Sequence, residues 1–305
     1  MIESIQDPFT LAELLQDWLN VLKAENKSPS TLKNYTTGVT AYIRWCEQRG
    51  ETPRIDRTLV TEWVAELLAS GMEPSSAKTR RQAVRCFSAW MDGEEDIDYA
   101  DQLLGLKPPK VPEKLIEPLT EVQLRVLILA CEGKSLRDRR DEAIIRLLTE
   151  TGMRASEVVG LQVSDLNMAA GVVTIGKAKG GRGRLVSISP KTAVSIDKYL
   201  RLRRSHPAAG LPDLWLSLRG NSARLSYMGL RFSISERATL AGIENFHLHL
   251  MRHTASSRWL AAGGSEQGLM TRHGWRDRSM LDRYTRATAS ERSIDEARHL
   301  GLGDL

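Results

Sequence analysis

The sequence predicts a mainly α protein in two units, an N-terminal all-α helical bundle and a C-terminal mixed α+β unit with a small antiparallel sheet. Three observations carry this prediction. Apolar residues recur at helical spacing through most of the first hundred positions. A segment with three prolines in seven residues, Leu106 to Pro112, then breaks the pattern and suits an extended linker. Beyond it, two short β-rich runs flank a glycine- and lysine-rich stretch. The expected boundaries are residues 1–106 for the bundle, 107–112 for the linker and 113–305 for the second unit.

In the first unit, Leu14, Leu15, Trp18 and Leu22 share one side of a helix running from about Leu11 to Leu22. Ser28-Pro29 reads as a helix start, a hydroxyl cap followed by proline at the first helical position. Leu32, Tyr35, Val39, Tyr42, Ile43 and Cys46 follow at helical spacing, and Gly50 closes the segment. Leu59–Leu68 and Ser75–Trp90 supply two more helices. In the last, Ala83, Val84, Phe87 and Trp90 face a core, which leaves Lys78, Arg81 and Arg85 for a basic surface.

In the second unit, Thr120 and Gln123 fit a capping box, and a helix through Ala143, Ile144, Leu147 and Leu148 stops near Gly152. Val172–Ile175 and Leu185–Ile188 read as strands joined through Gly176–Arg184. After Ser189-Pro190 the pattern is mostly helical.

The chain has 305 residues, 41% hydrophobic and 27% charged, ordinary for soluble globular proteins. No apolar run is long enough to span a membrane, and a start carrying Glu3 and Asp7 with no basic segment argues against a signal peptide. Cys46, Cys86 and Cys131 are far apart and odd in number, which fits a reducing, cytoplasmic setting better than a disulfide or zinc framework. A net charge of +5 permits a polyanionic partner. The basic residues gather around Lys78–Arg85, Lys177–Arg184 and Arg201–Arg204; each cluster alone equally suits a solvated face.

Chemistry-bearing residues concentrate in the second unit: Thr151-Gly-Met-Arg154-Ala-Ser-Glu157, a lysine-bearing hairpin, His249-Leu-Met-Arg252-His253, and Gly274-Trp275 nine residues before Tyr284. Taken together, in this order and with this last spacing, they resemble the tyrosine recombinase (phage integrase) family. The resemblance covers roughly residues 113 to 290 and extends more loosely to the N-terminal bundle, which is similar to the family's SAM-like core-binding domain. Its layout is Xer-like, with too little chain before Leu11 for an arm-binding domain; the stretch around Gly274-Trp275 is closer to mobile-element integrases.

The resemblance implies a catalytic set of Arg154, Lys179, His249, Arg252, Trp275 and Tyr284, with Glu157 in support. The physical chemistry agrees. A phosphodiester is anionic and repels an oxygen nucleophile until its charge is offset. Arg154 and Arg252 offer planar forks of donors and stay charged; such donors are worth about 2.7–4 kcal/mol each in comparable oxyanion sites. Alone, Arg154 equally suits a charge at a helix C-terminus. Tyr284, with an ordinary pKa near ~10, needs that field and a proton acceptor, for which His249 is the natural candidate. His249 and His253 at i and i+4 also have the spacing of a metal pair, but no third ligand is visible, so no metal or cofactor is expected. Lys179 is the implied proton donor to the leaving 5′-oxygen, with Lys177 as a rival. Trp275 stands where the family more often has histidine; His273 offers another registration, eleven residues before Tyr284. Glu157 either orients catalytic groups or marks a helix N-terminus.

The resemblance further implies cleavage and rejoining of double-stranded DNA through a 3′-phosphotyrosine and a Holliday junction. It implies a homo-tetramer on two DNA sites, a C-shaped clamp around the duplex, and a tail (Ser290–Leu302) that packs on a neighbouring protomer. Lys33, Arg44, Lys78, Arg81 and Arg85 are the expected phosphate contacts of the bundle. Two other functions stay open at this stage: DNA relaxation of the type IB topoisomerase kind, and DNA binding without catalysis.

Overall fold

In the computed structural model, most helices begin at a residue that accepts otherwise unpaired N–H groups. The structure describes residues 9–94, 96–97, 99–112, 116–176, 183–218, 223–275, 277–281, 294 and 297–298. The chain divides into two units, Met1–Lys114 and Leu115–Leu305.

Among the described residues, the first unit holds four helices, α1 (Leu11–Ala24), α2 (Pro29–Gln48), α3 (Arg57–Ala69) and α4 (Pro74–Met91). Thr10 and Glu13 form a reciprocal capping box before α1, and Ser28 caps α2 with Pro29 at its first position. The buried stripes meet in one core. Trp18 of α1 stacks on Tyr35 of α2, with ring centroids 5.1 Å apart, and lies 5.3 Å from Phe87 of α4. Tyr42 and Trp63 pack edge to face at 5.2 Å. Helices α2 and α4 approach closely because position 38 is glycine: a Cβ there would stand 2.5 Å from the Ala83 Cβ and 3.0 Å from the Arg80 carbonyl oxygen.

Arg81 departs from its expected place on the basic surface. Arg81 is 3% exposed, on the same stripe of α4 as Ala77, Val84 and Ser88, and its guanidinium donates to the Leu106 carbonyl. It fastens the end of the bundle and is not a surface phosphate contact. Lys33, Arg44 and Lys78 are exposed and Arg85 is half-buried.

The second unit is built around α6 (Leu136–Thr151), which follows α5 (Glu121–Leu129); Thr120 and Gln123 form the capping box of α5. Ala143, Ile144, Ile145, Leu147 and Leu148 of α6 are fully buried. After the short α7 (Ala155–Val159) come three antiparallel strands, β1 (Leu166–Asn167), β2 (Val172–Ile175) and β3 (Arg184–Ser187), in the order β1-β2-β3. Val173 pairs with Val186 and Ile175 with Arg184. The strand β1 adds to the two expected from sequence, and β3 begins one residue earlier than expected. Helices α8 (Pro190–Arg203), α9 (Tyr227–Leu240), α10 (Leu248–Ala261) and α11 (Glu266–His273) follow.

A buried carboxylate joins α6 to α9. Asp141, fully buried, accepts from Arg140 through Oδ1 and from Ser233 and Arg237 through Oδ2. Removing either side would leave an uncompensated charge in the interior.

Candidate active site

The site grows from the C-terminal ends of two helices. Helix α6 stops at Gly152 in the left-handed region, φ +63°. The turn buries Met153 and makes Arg154 the N-cap of α7. Helix α11 stops the same way at Gly274, φ +64°. Carbonyl groups at helix C-termini carry partial negative charge, and arginines collect on both.

Arg252, on α10 and 2% exposed, donates Nη1 to the Gly152 carbonyl at 2.7 Å and Nη2 to the His273 carbonyl at 2.9 Å. Its guanidinium carbon lies 5.3 Å from the centre of the Trp275 ring, within cation–π range. Arg184, on β3, donates Nε to the Arg272 carbonyl at 2.8 Å. Gly274 leaves room for it, since a Cβ there would come within 3.3 Å of its Nη1. Arg272 spans β3 and α6, donating to the carbonyls of Ser187 and Glu150.

Glu157 ties the second arginine pair together. Its Oε1 accepts from Arg154 Nη1 at 3.0 Å and from Arg184 Nη1 at 3.0 Å. Its Oε2 accepts the Arg154 backbone N–H at 2.8 Å and Arg184 Nη2 at 2.7 Å. Burial alone would raise the Glu157 pKa. Hydrogen bonds from Arg184 and the Arg154 backbone, with the charges of both arginines, hold it below the ordinary carboxylate value.

His273 sits where these groups meet. It is 1% exposed, its ring centre lies 4.6 Å from that of Trp275, and its Nε2 lies 2.5 Å from where a Cβ on Gly152 would be. Burial first, then the charges of Arg252, Arg184, Arg272 and Arg154, bring its pKa down to about 2. The imidazole is therefore neutral at any working pH. His249 is exposed in the first turn of α10, one turn before Arg252, and its ring meets His253 edge-on at 4.9 Å.

Of the residues expected from sequence, Arg154, Glu157, Arg252 and Trp275 are gathered around His273 and the two helix ends, with His249 one turn away on α10. Lys179, its rival Lys177 and Tyr284 lie outside the described residues, as does the tail except Ile294, Ala297 and Arg298. Sequence reasoning missed the parts played by Arg184, His273 and Arg272. A signal existed for the first two. Position 184 shares the inward face of β3 with Val186, and position 273 continues the buried stripe of α11 from Leu269, so each places a polar group where a core residue is expected.

Comparison with known proteins shows the family. The Phage integrase family matches residues 117–291, and the phage integrase N-terminal SAM-like domain matches residues 15–94. Tyrosine recombinase XerA of Pyrococcus furiosus is 28% identical over 279 residues, covering 91% of each chain. Tyrosine recombinase XerD of Yersinia pestis is 26% identical over 291 residues, 94% of this chain and 97% of that one. The XerH site-specific recombinase bound to a palindromic difH substrate has a TM-score of 0.73 at 18% identity, covering 93% of this chain and 83% of that one, a likeness of fold. The first family match spans more than half the chain and runs through Arg154, Arg252, Trp275 and Tyr284: this protein belongs to the phage integrase family.

Proposed function

We propose that the protein is a site-specific DNA recombinase that cuts and rejoins strands through Tyr284. The observation that carries this reading is the cationic centre formed where the ends of α6 and α11 hold Arg252 and, through Glu157 and Arg184, fix Arg154. Donors fixed before the substrate arrives need no reorganisation as charge develops on a phosphate.

In the reaction, the two guanidiniums face the non-bridging oxygens of one phosphate, and the Trp275 indole N–H supplies a further donor. The Tyr284 oxygen attacks phosphorus and passes its proton to His249. The bond from phosphorus to the 5′-oxygen breaks, and Lys179 protonates the leaving oxygen. The 3′-phosphotyrosine conserves the energy of the broken diester, so a 5′-hydroxyl from another strand reverses the step without a nucleotide.

The bundle supplies the DNA contacts. A groove of about 390 Å³ between α2 and α4 is lined by Thr31, Asn34, Tyr35, Lys78, Thr79 and Gln82, with Lys33 exposed beside it. Hydroxyl, amide and ammonium groups on two helices suit contact with base edges and phosphates. Four protomers on two duplexes complete the exchange, the tail of each packing on its neighbour.

A duplex recovered from a random pool by binding, then nicked so that the cleaved end diffuses away, tests the reading. An adduct that survives SDS, and disappears in Tyr284→Phe, is the expected result. Binding without an adduct would leave a silent DNA-binding protein; an adduct with relaxation of supercoils but no joined products from two sites would favour a topoisomerase.

A further inference from the structure

We propose that Arg184 is a positioning residue that neutralises Glu157, so that the positive charge of Arg154 stays available to the scissile phosphate. The proposal rests on the recombinase reading.

Consider first what Glu157 does to Arg154 on its own. The carboxylate fixes the arginine twice, through the backbone N–H and through Nη1. That gives orientation but also places a full negative charge against the cation meant for the phosphate. An isolated Arg154–Glu157 pair would have no net charge.

Arg184 supplies the missing half. It meets both oxygens of the carboxylate side by side, with Nη1 on Oε1 and Nη2 on Oε2. This planar fork-to-fork contact is one that a lysine cannot make. The three groups then carry one net positive charge, two arginines against one glutamate. The gradient of burial directs it outward: the side chains of Glu157 and Arg184 are 8% and 10% exposed, that of Arg154 is 42% exposed. The compensated pair lies inside, where Coulombic coupling is strong, and the remaining charge faces solvent and substrate.

Arg184 is not itself placed to hold the phosphate. Its Nη1 and Nη2 are matched to a carboxylate, that of Glu157, and its Nε to the Arg272 carbonyl at the end of α11, whereas the two carbonyls that Arg252 meets carry no net charge. It acts through Glu157. The same bonds join β3 to α7 and α11, so the orientation of Arg154 is referred to the helix end that also holds Arg252.

Single-turnover adduct formation on the pool-derived nicked duplex tests this with three variants. Arg184→Gln should slow adduct formation roughly 10- to 100-fold while binding of the uncut duplex changes less than about threefold. Adding Glu157→Gln removes the anion that Arg184 neutralised, so the double variant should be faster than Arg184→Gln alone. A merely structural arginine predicts the opposite, since a second deletion in the same network cannot repair it. A folded double variant as slow as the single, or slower, overturns the proposal. Should Arg184→Gln fail to fold, Arg184→Lys decides: it keeps the charge and loses the fork, and cleavage within about tenfold of wild type is expected. A folded Lys variant as inactive as Tyr284→Phe would refute the role. Wild-type protein that binds DNA but forms no adduct removes the recombinase reading itself, and this role with it, before any variant is compared.

Discussion

The backbone carbonyl of His273 accepts a hydrogen bond from Arg252 Nη2 at 2.9 Å, while the imidazole of the same residue is buried and neutral. One residue thus holds a guanidinium by its main chain and fills the space beside it with an uncharged ring. Burial, and then the crowd of four arginines that a protonated imidazole would join, bring its pKa down.

That arrangement makes stability depend on pH in a defined direction. Folded His273 has its pKa down at about 2, against 6.5 ordinarily. Between those values the unfolded chain binds a proton that the folded chain does not, so stability is complete above the ordinary value and is lost as pH falls. The slope is at most about 1.4 kcal/mol per pH unit. His273→Phe should flatten the fall in melting temperature between neutral pH and about pH 4 relative to wild type. Parallel curves would show that the imidazole is not the titrating group.

Gly152 is held to glycine twice over, by its left-handed backbone and by the His273 ring against it. Gly152→Ala should cost about 1–2 kcal/mol for the conformation alone, and more as the new Cβ presses on His273. Urea unfolding measures the loss. Cleavage should fall with it, because the Gly152 carbonyl also holds Arg252.

Arg81 and the exposed basic residues separate cleanly by experiment. Arg81→Ala should cost about 1–3 kcal/mol of stability, the penalty for an abandoned buried partner, and leave the salt dependence of DNA affinity unchanged. Lys33→Ala, Arg44→Ala, Lys78→Ala and Arg85→Ala should leave stability nearly intact and each reduce the salt slope by about one unit. An unchanged slope in the quadruple variant would move the DNA interface elsewhere.

Gly38 sets the spacing of α2 and α4. Gly38→Val should destabilise the bundle by about 1–3 kcal/mol through overpacking against Ala83 and Arg80. Thermal melting tests this, and a variant as stable as wild type would mean that the two helices separate at no cost.

Helix starts were legible in the sequence because the caps are local: Ser28-Pro29, Thr120 with Gln123 and Ser189-Pro190 need no tertiary information. That Arg154, Arg252 and Trp275 belong together was legible only through the resemblance, because they stand in segments far apart in the sequence. What failed was either too short to show a period or non-local. The strand β1 is two residues long, and it pairs with β2 only five to seven residues further on. Arg81 reads as surface charge until the carbonyl of Leu106 is brought to it. Arg184 reads as one more basic hairpin residue until Glu157, from a different segment, is seen to face it. For both arginines the deciding partner comes from outside the window in which periodicity works.

The most direct test is to trap the covalent complex on the nicked duplex, digest both components and locate the nucleotide by mass spectrometry. A single peptide containing Tyr284, modified on its phenol by a nucleotide 3′-phosphate, is the predicted result. A nucleotide on any other residue, or one joined through its 5′-phosphate, would contradict the assignment of Tyr284 as the nucleophile served by Arg154 and Arg252.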